Sequence, residues 1–223
     1  MFNYAERTVL KQEMINGIGP WVWDKQDDAA WECPKGDWLH HNYQQTIESH
    51  CITRKLAIQA GGCQGMYPRL LSDMFDHVYT FEPHPVNFHM LVANCQKDNI
   101  TKINGALSDH PGQFTLIENE IVNSGCHTLA DASHRKLIVE TGKQYTVQLF
   151  TVDGLNLPTL DLLMLDVESY EHNVLLGAVQ TIKKYHPVII CEGDIQTVTN
   201  LLAGLGYEKI GRLADDTIYK FKQ

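Results

Sequence analysis

The sequence predicts an open α/β fold with a largely parallel sheet, and three stretches carry that prediction. Ala57-Ile58-Gln59-Ala60-Gly61-Gly62-Cys63-Gln64-Gly65 reads as a buried strand entering a glycine-rich turn, with a helix from about Met66 to Phe75 behind it. Val78-Tyr79-Thr80-Phe81-Glu82-Pro83 reads as a second strand ending in a carboxylate. Glu82 lies about 20 residues beyond the first glycine, the interval at which an acid meets a ribose in mononucleotide-binding units. Leu160 to Val167 is a nearly continuous apolar run broken by Asp161 and Asp166, as expected of a strand buried on both faces. Together the three imply a nucleotide-type ligand at the carboxyl ends of parallel strands.

Composition narrows the class. A chain of 223 residues that is 43% apolar can bury the core of one domain with additions. A formal net charge of −9 argues against extended nucleic-acid binding, which needs clustered Lys and Arg to release counterions. The six cysteines form no CxxC pair, which predicts reduced thiols in a cytoplasmic protein rather than a disulfide framework or a zinc site. No apolar run approaches membrane-spanning length, so no membrane association is expected.

Taken in order, the chain begins with a capping-type pair, Asn3 and Glu6, and with Val9, Leu10 and Met14 at helical spacing, which predicts a short helix stopped by Gly17. Residues 17 to 37 hold Pro20, Pro34, Trp21, Trp23 and Trp31, with Trp38 just beyond. They predict an irregular arm whose tryptophans pin it to the domain or to a second subunit of a homodimer, or else wall an acceptor pocket. Leu39, Tyr43 and Ile47 predict a helix, so residues 1–54 read as a helical, Trp-rich arm and 55–223 as the binding domain. Phe88, Leu91, Val92 and Cys95 mark a helix within 84–97. Strands are expected around 101–107 and 113–117, and the polar segment 118–143 reads as a loop or lid. Its His127 and His134 read as solvated. Strands at 145–152 and 160–167, a helix over 170–185, a strand at 187–192, a helix at 197–205 and a closing antiparallel hairpin complete the order.

At this point the ordered motifs resemble a known family. Ala57 to Gly65, Val78 to Pro85 with Asn87, Ala106-Leu107-Ser108-Asp109, Leu162 to Glu171 running on to Gly177-Ala178, and then Pro187 and Glu192, are similar to the FkbM-type methyltransferases over roughly residues 55 to 221. The resemblance implies a Rossmann-like class I methyltransferase fold: seven strands, mostly parallel, the C-terminal one antiparallel, with helices on both faces. It also implies S-adenosylmethionine as cofactor and O-methylation of a sugar or other small hydroxylated acceptor. Gly61, Gly62 and Gly65 would lie against the methionine half, and Glu82, flanked by Pro83 and Asn87, would accept from the ribose. Ala106 and Asp109 would border the adenine. The chain departs from the family pattern at Gln59, where an acid for the methionine amino group is usual, at Cys63, usually Asn or Gly, and at Met164 and Ser169, usually Lys and Gly.

For chemistry, Asp166 emerges at a strand's carboxyl end, where ligands bind in open α/β sheets, and serves both cofactor and reaction centre. Glu168 and His172 are four apart at an expected helix start and would share a face, with His172 as base. Glu192 and Asp194 could join Asp166 around Mg²⁺, but no ligand spacing demands it and no metal is expected. Two other readings stay open: a non-catalytic binding module, and an NAD-dependent oxidoreductase, for which the turn lacks G-x-G-x-x-G.

Overall fold

The computed structural model describes residues 8–15, 18–24, 37–119, 128–129 and 140–222. A hairpin of β1 (Thr8–Ile15) and β2 (Ile18–Asp24) precedes α1 (Asp37–His50). The binding unit then runs β3 (Leu56–Ala60), α2 (Met66–Leu71), β4 (His77–Phe81), α3 (Pro85–Asn94), β5 (Ile100–Ile103), β6 (Ala106–Leu107), β7 (Gly112–Asn119), β8 (Thr128–Leu129), β9 (Glu140–Phe150) and β10 (Leu162–Leu165). It closes with α4 (Glu171–Leu176), α5 (Val179–Tyr185), β11 (Val188–Glu192), α6 (Gln196–Gly204), β12 (Tyr207–Leu213) and β13 (Asp216–Phe221).

Seven strands form one sheet in the order β12-β13-β11-β10-β3-β4-β5. β11, β10, β3, β4 and β5 pair in parallel, while β13 runs antiparallel to both of its neighbours, as expected. Alternation along the central strands explains why both faces carry helices. Leu163 and Leu165 of β10 join Ile58, Val174, Ile182 and Val198 in one core, whereas Leu162 and Met164 join Ala57, Tyr43, Ile47 and Leu71 in the other. A strand buried on both faces therefore reads as an unbroken apolar run. Asp161, at the amino end of that run, accepts from the Lys55 and Leu56 amides and pins the start of β3.

Several elements differ from the sequence expectation, each for a physical reason. Residues 8–15, expected as helix, are a strand: Thr8, Val9 and Ile15 are β-branched, and pairing with β2 satisfies the backbone. The irregular arm is thus a strand over 18–24, while residues 25–36, Trp31 among them, and the Asn3–Glu6 pair lie outside the described residues. The expected strand 101–107 breaks at Gly105, where a Cβ would stand 2.7 Å from the Gln148 carbonyl oxygen. β5 stays in the large sheet and β6 crosses to a second sheet, β6-β9-β7-β8. The described parts of 118–143 are strand rather than loop, and His127 and His134 lie outside the described residues. The helix over 170–185 is divided at Gly177, which passes so close to the Ser108 carbonyl that a Cβ there would sit 2.0 Å from its oxygen.

Asn94, at the end of α3, holds the N-terminal hairpin to the domain. It accepts from the Val22 amide (2.7 Å) and donates to the Val22 and Gln64 carbonyls (both 2.7 Å), all buried. Trp21 packs beside it with Val86 and Met90 and under the Arg69 guanidinium. Asn94→Ala leaves these backbone groups without partners and is expected to lower the unfolding free energy by about 2–4 kcal/mol in urea titration. It should also speed proteolysis within residues 8–24.

Candidate active site

The cleft forms where the strand order reverses. β3 continues through α2 to β4 on one side, and β10 continues to β11 on the other, so the carboxyl ends of β3 and β10 part above the sheet. The cleft there is lined by Ala60, Gly61, Phe81, Glu82, Pro83, Asn87, Ala106, Leu107, Leu116, Asp166, Val167, Glu168 and Tyr170. Three of these are acids and none is Lys or Arg.

The glycine turn is shaped by close approach. Gly61 has φ +83°, and a Cβ on it would fall 1.7 Å from the Asp166 carbonyl oxygen. The Gly61 and Gly62 amides both donate to the Phe81 carbonyl (3.1 and 2.9 Å), which lays the turn across the end of β4. Gly62 and Gly65 face inward, toward Leu91, Thr80 and Cys95, and support the turn rather than line the cleft.

Glu82 is held rigidly. It is 5% exposed, and its two carboxylate oxygens accept from the Cys63 amide (2.7 Å) and the His84 amide (2.8 Å). Burial nonetheless pushes its carboxyl up to about 7, the two amide bonds only moderating the rise. The turn beyond it is braced twice. Asn104 donates to the Glu82 and Pro83 carbonyls, and the His84 ring caps α3 through the Asn87 amide. The other ring nitrogen of His84 meets the fully buried Glu118 of β7, which Tyr145 and Lys143 of β9 also reach. The second sheet therefore props the Glu82 turn from outside the cleft.

Opposite Glu82, the chain leaving β10 turns back on itself. Glu168 (φ 56°) and Ser169 (φ 75°) are both left-handed, and α4 starts only at Glu171. Glu168 thus precedes the helix, and the expected shared face with His172 is not formed. One oxygen each of Asp166, Glu168 and Glu192 lies within 4.8 Å of the others. Burial, then the charges of Glu192, Asp216, Glu168 and Glu171, raise the Asp166 carboxyl well above the usual carboxylate range. His172 is in the first turn of α4, outside the cleft lining, and its Nδ1 is buried without a hydrogen-bond partner. Asp194 stands apart from the cluster, exposed and paired with Lys209 at 2.6 Å.

A family model described as the methyltransferase FkbM domain matches residues 60–209. The chain belongs to the FkbM methyltransferase family. The crystal structure of an FkbM methyltransferase from Methylobacillus flagellatus KT is similar with a TM-score of 0.53 and 14% identity, covering 76% of this chain and 44% of that one. The FkbM-family chain here thus spans less than half the length of that protein, and at this identity the likeness shows the fold. The N-methyltransferase NodS from Bradyrhizobium japonicum WM9 is similar over 88% of this chain and 99% of its own, with 10% identity and a TM-score of 0.49. No curated protein matches the chain. Among the described residues no helix is long and apolar enough to cross a membrane.

The departures from the FkbM pattern now have positions. Gln59 is fully buried: its amide nitrogen donates to the Ala60 and Gly61 carbonyls and its oxygen accepts from Thr80, so it fastens the turn and lines no part of the cleft. Met164 is core, packed on the face of α1 and α2. Cys63 (φ 43°) and Ser169 occupy left-handed conformations that favour Gly or Asn, which is why the usual residues there are small or amide-bearing. Of the other residues expected at the cofactor, Pro83, Asn87 and Ala106 line the cleft, while Asp109 is half turned to solvent and bonds Ser108 and His110. Ala60, Phe81, Leu107, Leu116, Val167 and Tyr170 line it unforeseen. Tyr170 lay inside a quoted motif, whereas Leu116 reaches the cleft from the second sheet and carries no sequence signal.

Two substitutions test this geometry. Gly61→Ala forces both a left-handed alanine and a backbone collision, and is expected to destabilise by about 3 kcal/mol or more in denaturant titration. Ser169→Gly relieves a left-handed residue and is expected to stabilise by about 0.5–1 kcal/mol, read as a higher urea midpoint.

Proposed function

We propose that this FkbM-family chain is an S-adenosylmethionine-dependent methyltransferase that methylates a hydroxyl on a sugar or other small hydroxylated metabolite. The observation that carries the reading is Glu82, a buried carboxylate clamped by two backbone amides at the mouth of a glycine turn whose Cβ positions are filled by neighbouring atoms. That donor set fits a nucleoside: the remaining lone pairs of Glu82 accept from vicinal ribose hydroxyls, and Gly61 lets the backbone approach the amino-acid half. Phe81, Ala106, Leu107 and Leu116 supply an apolar wall of the kind a purine occupies.

The cofactor when bound supplies an electrophilic methyl group on a sulfonium centre. The chain's own residues then do three things. Gly61 and Asp166, in contact across the switch point, fix the end of the cleft at which donor and acceptor meet, and alignment of this kind is worth about 7–11 kcal/mol in well-oriented reactions. Asp166 and Glu168 present carboxylate oxygens there, and either can take the proton of an acceptor hydroxyl. Tyr170 and Val167 narrow the cleft against water. A base role for His172 would require its ring to turn toward the cleft.

The test is isothermal titration with S-adenosylmethionine and S-adenosylhomocysteine, with NAD as control. Binding of both sulfur ligands and not NAD is the expected outcome; turnover on hydroxylated acceptors separates an enzyme from a binding module. Glu82→Ala should weaken the sulfur ligands by about 10- to 150-fold, the loss of about 1.5–3 kcal/mol for a charge-assisted bond.

A pH series follows from the Glu82 carboxyl lying near 7. Ribose hydroxyls need the ionised acid, so affinity should rise as pH increases through about 7 and fall about tenfold per unit below it, a dependence that Glu82→Gln removes. For the stability of the free protein the sign is opposite. The folded carboxyl is raised above its unfolded value of 4.5, so its contribution is complete below that value and is lost as pH rises through about 7. Melting temperatures from pH 4.5 to 8 read that slope.

A further inference from the structure

We propose that Asp166, Glu168 and Glu192 hold a divalent cation of the hard, oxygen-seeking kind, Mg²⁺, Mn²⁺ or Ca²⁺, at the inner end of the cleft. β10 and β11 are neighbours in parallel register, with Leu165 opposite Cys191, so Asp166 and Glu192 leave the sheet side by side. The two left-handed residues then return Glu168 to the same spot. One oxygen from each carboxylate lies within 4.8 Å of the other two, and a cation with metal–oxygen distances of about 2.0–2.6 Å spans ligand separations of about 3–5 Å. Three carboxylates so placed repel one another, and among the described residues that line the cleft none is Lys or Arg.

An independent observation points to the same occupant. Glu171 is fully buried; one of its oxygens accepts from the Val167 amide at 3.1 Å, and the other, also buried, has no hydrogen-bond partner. It lies close enough to Asp166 and Glu192 for their charges to act on one another. An unpartnered buried carboxylate oxygen beside three more acids is costly in a metal-free protein and is compensated by a dication in their midst. Asp216, opposite Glu192 in the β11–β13 pair, is held by the Tyr43 hydroxyl at 2.7 Å and completes the anionic surround. An all-carboxylate donor set without His or Cys selects hard cations over zinc. Facing the open cleft, such an ion has coordination positions left for water or for two neighbouring hydroxyls of an acceptor, which it would orient and acidify. That role rests on the proposed methyl transfer, but the binding of the ion does not.

The experiment is titration of the metal-free protein, without cofactor, with Mn²⁺, read by calorimetry and by electron paramagnetic resonance. One Mn²⁺ per chain is expected. Glu192→Gln should weaken it at least tenfold, while Asp194→Asn, which alters the acid paired with Lys209, should leave it unchanged. Folding is followed separately by melting: Glu192→Gln should melt higher than the parent without metal, because a repulsion is removed, and should lose the parent's Mn²⁺-induced rise. Absence of stoichiometric Mn²⁺ binding, or binding equally strong in Glu192→Gln, overturns the proposal. Titration with S-adenosylhomocysteine on the same metal-free sample keeps the two readings apart. Its binding without any Mn²⁺ binding overturns the cation site alone, and Mn²⁺ binding without it supports the cation site while removing the methyl-transfer reading.

Discussion

The contact on which the rest of this site depends is the approach of Gly61 to the carbonyl of Asp166. It places the ends of two parallel strands so close that no side chain fits between them at that level. Because β3 and β10 then lead to opposite sides of the sheet, everything above the contact is open, and the opening is the cleft. The contact also explains why the turn must begin with a residue free to adopt φ +83°. Around that point the two halves of the site take different characters. On the β4 side a single acid is immobilised by backbone amides, and on the β10 side several acids crowd together.

That asymmetry is electrostatic in origin. Glu82 has backbone donors for both of its oxygens, so its burial is partly compensated and it is set as a fixed acceptor. At Asp166 burial, and then the charges of Glu192, Asp216, Glu168 and Glu171, push the carboxyl up. A net charge of −9, with no Lys or Arg among the described residues that line the cleft, suits a ligand that carries positive charge, such as a sulfonium cofactor. The second sheet contributes indirectly. Glu118, His84, Tyr145 and Lys143 form a network behind the Glu82 turn, so a strand far along the chain decides how firmly that acid is held.

The departures from the FkbM pattern divide by where the fold sends them. Gln59 and Met164 point into the interior, where an amide bonds the turn and a thioether fills the core. Their cost or benefit falls on stability and on the shape of the turn, not directly on a ligand. Cys63 and Ser169 differ in kind, since both occupy left-handed backbone and carry local strain next to the cleft. Such strain persists only because the hydrogen bonds around it, Cys63 to Glu82 among them, over-determine the loop.

The sequence by itself determined the largely parallel sheet with its closing antiparallel hairpin, but not the second sheet or the division of the helix over 170–185. What it determined rests on local signals: a glycine turn, strand-end acids, and apolar periods that any chain of this composition must bury. It misjudged residues 8–15, because helical spacing of three apolar residues cannot reveal that the segment just beyond pairs with them as a strand, and pairing outweighs propensity. It also read Glu168 and His172 as one helix face, because the left-handed bend that delays α4 depends on packing around Asp166 rather than on the residues in the bend. Only the tertiary structure decided that Glu168, and not Asp194, stands with Asp166 and Glu192. Which acids meet is set by strand register and by the path of a loop, both of them long-range properties that no window along the chain contains.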